Sequence, residues 1–172
     1  YETQKTDLSH IRELDYYRQG RFMELDLAAR RNLELTETLR GKEKKGSLLW
    51  VLDKTKTPMG GRMLRSWLER PLLSTDIDRR SSAVAALVND TIRREELIAG
   101  MTGLGDMERL IGRIVYGTAG GRDLTSLRAA MEKLPNLKEQ LAAFSDRRIT
   151  ELTAELDTLD DISHDIAAAI CD

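Results

Sequence analysis

The sequence contains very few of the residues that build cross-links, metal sites or catalytic centres. Its 172 residues include one cysteine, Cys171, and two histidines, His10 and His164. A single cysteine cannot form an internal disulfide, and this cysteine usage is typical of a protein from a reducing compartment. A closed zinc site needs four ligands, so an ordinary Cys/His zinc site is excluded.

Prolines, aromatic residues and long apolar runs are scarce as well. Proline occurs 3 times and aromatic residues make up 5% of the chain, so few breakers interrupt helices. No apolar run approaches the roughly 20 residues that a membrane-spanning helix needs. The N-terminus has no basic segment followed by an apolar one, so no signal peptide is visible. Because the chain opens on Tyr1 and stops at Asp172 without a tail, we expect a fragment of a longer cytoplasmic protein.

Charge is abundant but unevenly distributed. Charged residues make up 33% of the chain and hydrophobic residues 41%, which favours a helix-rich globular protein. The segment from Arg40 to Arg70 holds nine Lys and Arg against three acids, a net charge of +6. The segment from Asp146 to Asp172 has eight acids against two arginines, a net charge of −6. The basic segment would suit nucleic acid, but intramolecular pairing or a solvated surface is the interpretation we favour.

Apolar residues recur at helical spacing through the central and C-terminal parts of the chain, and each run predicts an amphipathic helix. Gly117 is expected to close the second of these helices and Pro135 the third. Between the last two helices we predict a break capped by Thr158 and Asp160. The stretch "YGTAGGRD" at 116–123 indicates a loop. The apolar runs are Ile77, Val84, Leu87, Val88 and Ile92; Met107, Leu110, Ile111, Ile114 and Val115; Leu124, Leu127, Met131 and Leu134; Ile149, Leu152 and Leu156; and Ile162, Ile166 and Ile170.

The N-terminal quarter has a different pattern. Phe22, Met23 and Leu25 predict a short strand, and "NLEL" at 32–35 predicts its neighbour, with a helical turn between them. The charged stretch "RGKEKKG" at 40–46 indicates a solvated loop. The fold class that follows is mainly α, a helical bundle of roughly six to eight helices with a small two-stranded β element near the N-terminus.

Two adjacent glycines, Gly60 and Gly61, raise the question of a phosphate site, because glycine-rich turns at helix starts often bind phosphate. A P-loop would need a Lys followed by Ser or Thr at fixed spacing after a buried strand, and neither is present. Thr57 instead provides a cap and Pro58 a preorganised first position for a helix that Pro71 ends. We expect the glycines to allow close packing of another backbone. The expected buried stripe of this helix is Met63, Leu64, Trp67 and Leu68.

His164 is the remaining candidate for chemistry, since phosphotransfer domains carry one exposed histidine on a helical bundle. Asp161 and Asp165 flank it and would repel a phosphoryl group, so a solvent-facing histidine is the favoured interpretation. No catalytic, cofactor-binding or metal-binding residue is predicted.

An ordered series of motifs runs through the chain. "NLEL" lies at 32–35, the pattern LD-x-T-x-T-x-MG-x-R-x-L-xx-WL-xx-PL runs from Leu52 to Leu72, and Arg122, Asp123 and Leu124 form "RDL". In this order the motifs resemble the start of the core (lever) domain of the MutS family of bacterial DNA mismatch-recognition proteins. The similarity runs over 22–73 and resumes at 107–127. The resemblance implies structural or coupling roles for Asp53, Thr55, Thr57, Pro58, Gly60, Gly61, Arg62, Trp67 and Pro71.

The resemblance also implies which functions belong to this segment and which to other parts of the full-length protein. Residues 1–20 would be the tail of a connector region, and residues 21–172 the first segment of the core domain, without the clamp, the mismatch-reading domain or the ATPase domain. ATP and magnesium would bind elsewhere in the full-length protein, and this segment would carry movement between the ATPase and the DNA. It would not itself be an enzyme.

The partners implied are the remainder of its own chain, mismatched double-stranded DNA, a second copy and a MutL-type protein, but no membrane. The implied location is the bacterial cytoplasm, in action at the nucleoid. Two other classes stay open: a free-standing helical scaffold that binds partner helices, and a small enzyme of unrecognised type.

Overall fold

The structure is a computed structural model that describes residues 22–73 and 76–170. These residues fold mainly into α-helices, as predicted. Eight helices have nine residues or more and two are short. The helices are α1 (Leu27–Asn32), α2 (Leu48–Leu52), α3 (Pro58–Glu69), α4 (Asp76–Asn89), α5 (Thr91–Met101), α6 (Met107–Val115), α7 (Gly121–Met131), α8 (Leu134–Ala142), α9 (Arg147–Glu155) and α10 (Asp160–Ala169).

The helices from α4 onward pack into a connected body. Helix α4 packs on α5 and α9, and α8 packs on α5, α7 and α9. Helix α7 also contacts α6 and α10, so it joins the outer helices to the centre. Towards the N-terminus, α2 packs on α3. None of the helices in the described ranges is long and apolar enough to cross a membrane.

The buried core lies where α5 meets α8. Leu97 of α5 and Leu134 and Leu137 of α8 form a buried cluster, and apolar residues from α4, α6 and the loop before α10 pack around it. A second buried group comes from α7, which contributes Leu127, Ala130 and Met131. Both groups follow the helical spacing of the sequence, because residues three and four apart share one helix face.

Most helices begin at a polar residue whose side chain accepts a hydrogen bond from a free backbone amide. Asp26 caps α1, Ser47 caps α2 and Thr57 caps α3. Aspartates cap three later helices: Asp90 (α5), Asp106 (α6) and Asp146 (α9).

The predicted two-stranded β element is absent from the described residues, so this expectation was wrong. Phe22 forms a single antiparallel bridge with Leu72, and the Met23 amide donates to the carbonyl of Pro71 at 2.8 Å. The helical turn expected between the two predicted strands is present as α1, which includes Asn32. The rest of "NLEL" is a turn.

That turn holds the start of α2. The backbone carbonyls of Glu34 and Leu35 accept hydrogen bonds from the amides of Leu48 and Leu49, at 3.0 and 2.9 Å. Ser47, which is fully buried, caps the same helix start. A helix start leaves amides without partners inside the helix, and two carbonyls of the predicted strand accept from two of these amides.

Several helix ends differ from the predicted ones. Pro135 does not close the preceding helix as predicted: it is the second residue of α8, in the first turn, where its missing amide is not needed. Helix α7 begins at Gly121, so the last three residues of the loop predicted at 116–123 belong to the helix. The break between α9 and α10 is present, but α10 is preceded by Leu159 in a left-handed conformation with no side-chain cap, so the predicted Thr158 and Asp160 caps were wrong.

Several predicted apolar stripes are exposed rather than buried. Ile77, Val84 and Val88 on α4 are 50–57% exposed, and Ile92 lies on the next helix, α5, at 75%. On α6 the exposed residues are Ile111, Ile114 and Val115. The helical spacing of the sequence is correct in these segments, but the packing of the described residues leaves these faces uncovered.

Candidate coupling site

The segment from Asp53 to Arg62 contains most of the motif residues, and hydrogen bonds fix its shape. Asp53 follows α2, and its carboxylate accepts from the Thr55 hydroxyl at 2.6 Å and from the Thr55 amide at 3.3 Å. Lys44 also donates to this carboxylate. The hydrogen bonds from Lys44 and then from Thr55 lower the pKa of Asp53 to about 2. Asp53 and Thr55 therefore form a rigid charged turn before α3.

Thr57 and Pro58 begin α3 as predicted. The Thr57 hydroxyl accepts from the Gly60 amide at 3.1 Å, and Pro58 is the first residue of the helix. A methyl group added to Gly60 would lie 3.0 Å from the Thr57 hydroxyl, and one added to Gly61 would lie 3.4 Å from the Thr55 hydroxyl. The close neighbours of the glycines are thus two threonine side chains of the preceding turn. The expected approach of another backbone was wrong.

Arg62 joins α3 to the start of α6. Its guanidinium donates to both carboxylate oxygens of Asp106, at 2.7 and 2.8 Å, and to Glu108 at 2.6 and 2.9 Å. Asp106 is also the cap of α6 and accepts from the Arg109 amide at 3.2 Å. The bonds from Arg62 lower the pKa of Asp106 to about 2, and those from the two carboxylates raise the pKa of Arg62. We call this set of contacts the α3–α6 joint.

A second arginine–aspartate pair lies at the other end of α6. Arg113, in the last turn of α6, donates to the Asp123 carboxylate at 2.6 Å. Asp123 belongs to α7, and its other oxygen accepts from the Gly120 amide at 2.9 Å. We call this pair the α6–α7 joint. It gives the aspartate of the "RDL" motif two contacts at once.

Trp67 does not lie in a core, so the sequence expectation was wrong. Its side chain is 43% exposed and Met63 is 56% exposed, while Leu64 and Leu68 are half-buried. The Arg80 guanidinium of α4 lies 3.7 Å from the centroid of the Trp67 ring, a cation–π contact. Trp67 therefore attaches α3 to α4 from the surface.

The turn at 53–57 borders a cavity of about 340 Å³ against α4 and α5. Its walls are apolar where Leu87, Leu97, Ile98 and Met101 contribute. Three cations, Lys54, Lys56 and Arg94, line the rest together with Thr55, Thr57 and Gly60. The motif residues therefore cover one side of the central core.

The basic and acidic segments find partners separately. In the basic segment, Arg62 pairs with α6 acids and Arg65 with Glu69 of its own helix. In the acidic segment, Asp146 accepts from the Ser82 hydroxyl of α4 at 2.6 Å, which lowers the Asp146 pKa. Bonds from Arg147 lower the pKa of Glu151 in the same way. The pairs described here thus do not join one segment to the other.

The two histidines and the cysteine carry little information on function. His164 is exposed, in agreement with the solvent-facing interpretation. His10, Cys171 and the proposed connector tail lie outside the described residues.

Sequence reasoning missed three of the residues that form the two joints. Asp106, Glu108 and Arg113 were not singled out, although an aspartate directly before an apolar helical run is a cap signal that would have identified Asp106. The pairing of Arg62 with Asp106 joins residues 44 positions apart. Nothing in the spacing of one sequence indicates such a contact.

Fold and contacts together define an all-helical domain in which the described motif residues form caps, turns and joints between helices. Comparison with known proteins gives its family. Residues 28–172 match the family model described as MutS domain III. The chain belongs to the MutS family of DNA mismatch repair proteins, and this part of it is domain III.

Bacterial relatives agree with that assignment. The DNA mismatch repair protein MutS of Alkaliphilus oremlandii is 48% identical over 171 residues, which are 99% of this chain and 19% of the relative. The protein of the same name from Brevibacillus brevis is 47% identical over 171 residues, 99% of this chain and 20% of the relative. The chain spans about a fifth of the length of the curated relatives it matches.

Proposed function

We propose that this domain couples ATP binding in another part of the full-length protein to the clamping of mismatched DNA. Its own role would be mechanical, and the nucleotide and its magnesium would bind elsewhere. The other partners of the full-length protein would be a second copy and a MutL-type protein, at the bacterial nucleoid.

The observation that carries this proposal is the set of exposed apolar faces on α3, α4 and α6. Ile111 and Ile114 of α6 are 47% and 39% exposed, and α4 and α3 have comparable residues. Exposed apolar faces of this kind mark contact sites for other protein. The relatives are about five times as long as this chain, and a full-length protein of that length would have further segments to cover these faces.

The test uses the full-length protein and measures two affinities. The dissociation constant for a mismatched duplex is measured with and without ATP, and that for ATP is measured without DNA. Changing both Ile111→Ser and Ile114→Ser should weaken the effect of ATP on DNA affinity, because α6 loses its apolar contact. The affinity for ATP itself should stay within about twofold, since coupling and binding are separate quantities.

Ser126→Ala is the control, because Ser126 is an exposed polar residue on neighbouring α7. It should leave both affinities unchanged. If the paired isoleucine variant responds to ATP as the unmodified protein does, the α6 face has no part in coupling. The alternative, a free-standing helical scaffold, predicts that the paired isoleucine variant keeps its response to ATP but no longer binds a partner helix. It also predicts complete burial of the apolar stripes in a monomer.

A further inference from the structure

Helix α6 is held at both ends by arginine–aspartate pairs. At its start, Asp106 accepts hydrogen bonds from both terminal nitrogens of Arg62 of α3, at 2.7 and 2.8 Å. At its end, Arg113 donates to Asp123 of α7 at 2.6 Å. One nine-residue helix thus connects α3 to α7, and α7 packs on both α8 and α10.

Both aspartates are fixed by the backbone as well as by an arginine. Asp106 accepts from the Arg109 amide, and Asp123 from the Gly120 amide. A carboxylate oriented by a helix start gives an arginine a defined partner, and charge-assisted bonds to a planar guanidinium are among the strongest and most directional in proteins. Each joint therefore fixes the orientation of two helices relative to each other as well as the distance between them.

The middle of α6 contributes little buried surface. The helix packs on α7, but none of its side chains is fully buried. A nine-residue helix is about 13 Å long, and its hydrogen-bonded backbone resists compression. Apart from Met107, which packs against the central core in the first turn, α6 is held by the polar contacts at its two ends.

We propose that α6 is a strut that keeps α3 and α7 in register, with Arg62 and Arg113 as positioning residues. This inference rests on the proposed coupling function. When a movement reaches α3, the α3–α6 joint passes it to α6 and the α6–α7 joint passes it to α7. Loss of either joint leaves both helices folded but lets them move independently.

The test measures a distance and a coupling in the full-length protein with its own cysteines replaced. Spin labels at Ser66→Cys on α3 and Ser126→Cys on α7 report the distance between the two helices. The variants are Arg62→Gln and Arg113→Gln. The control is Arg65→Gln, which removes an arginine of α3 that pairs within its own helix. Arg62→Lys keeps the charge but loses the planar fork.

In the unmodified protein and in Arg65→Gln, we expect one narrow distance distribution that ATP does not broaden. Arg62→Gln and Arg113→Gln should each broaden it and reduce the effect of ATP on DNA affinity about fivefold or more, the lower end of typical allosteric couplings. Arg62→Lys should give a distribution width and an ATP effect between those of the two groups. If one glutamine variant does not fold, the other gives the same test.

Narrow distributions and full coupling in both glutamine variants would overturn the strut. A failure of the proposed function looks different. If ATP has no effect on the DNA affinity of the unmodified protein, coupling through this domain is refuted. The distance distributions then still decide whether the joints hold α3 and α7 together.

Discussion

At the scale of single residues, most motif positions serve the geometry of one turn. Asp53, Thr55 and Thr57 hold the chain between α2 and α3, and Gly60 and Gly61 leave space for the two threonines. The two glycines differ in how much space they leave. Added methyl groups would lie 3.0 Å from the nearest atom at Gly60 and 3.4 Å at Gly61.

This difference gives the first prediction. Gly61→Ala should raise the free energy of unfolding, by up to about 1 kcal/mol, because alanine is the better helix former and the site accepts its methyl group. Gly60→Ala should give no gain or a loss, since its methyl group presses on the Thr57 cap. Urea unfolding of the two variants tests this. Equal stabilisation by both changes would contradict the close contact at Gly60.

At the scale of elements, α3 is attached to the body by surface contacts. Arg62 reaches α6, and Trp67 lies beneath Arg80 of α4. A tryptophan in a core would cost about 3 to 5 kcal/mol on truncation to alanine. Trp67 is 43% exposed, so its contribution comes from partial burial and from the cation–π contact.

We therefore predict that Trp67→Ala lowers the free energy of unfolding by about 1 to 2 kcal/mol. In a double-mutant cycle with Arg80→Ala, the two changes should show a coupling energy of about 0.5 to 1 kcal/mol. The measurement is chemical unfolding of the four proteins. A loss of 4 kcal/mol or more, or strictly additive effects, would refute a surface contact.

The sequence allowed the helices to be predicted better than their environment. Helical spacing identified the segments that contain α4, α6, α7, α9 and α10, and the Thr57 cap was evident from its position before Pro58. Burial was wrong for Trp67 and Val84, because periodicity shows that one face is apolar and not what covers it. "NLEL" was misread for a related reason: four residues cannot show that their carbonyls will meet a helix start.

At the scale of the whole molecule, two aspartates link stability to pH. The pKa values of Asp53 and Asp106 fall from 3.8 to about 2 in the folded chain, through bonds from Lys44 and Thr55 and from Arg62. A lowered carboxylate pKa adds stability above the ordinary pKa, and this stability is lost as the pH falls towards the folded value. The two contributions are therefore complete above about pH 5 and disappear between about pH 4 and pH 2.

The third prediction isolates the part due to Asp106. The destabilisation caused by Arg62→Gln should be largest near pH 6 and should shrink as the pH falls below about 4. In an Asp106→Asn background, where asparagine still caps α6, most of this pH dependence should vanish. Unfolding by urea at several pH values gives both results. A destabilisation by Arg62→Gln that is constant from pH 6 to pH 2.5 would contradict the assignment.

The turn that holds α2 has a further consequence, for folding during synthesis on the ribosome. The carbonyls of Glu34 and Leu35 find their partners at Leu48 and Leu49, only fourteen residues later. Closing so short a loop is fast, and chains emerge from synthesis N-terminal end first. The unit around buried Ser47 is therefore complete in sequence before α4 has been made. We expect this unit to fold during translation, so that the later helices pack beside a unit that is already folded.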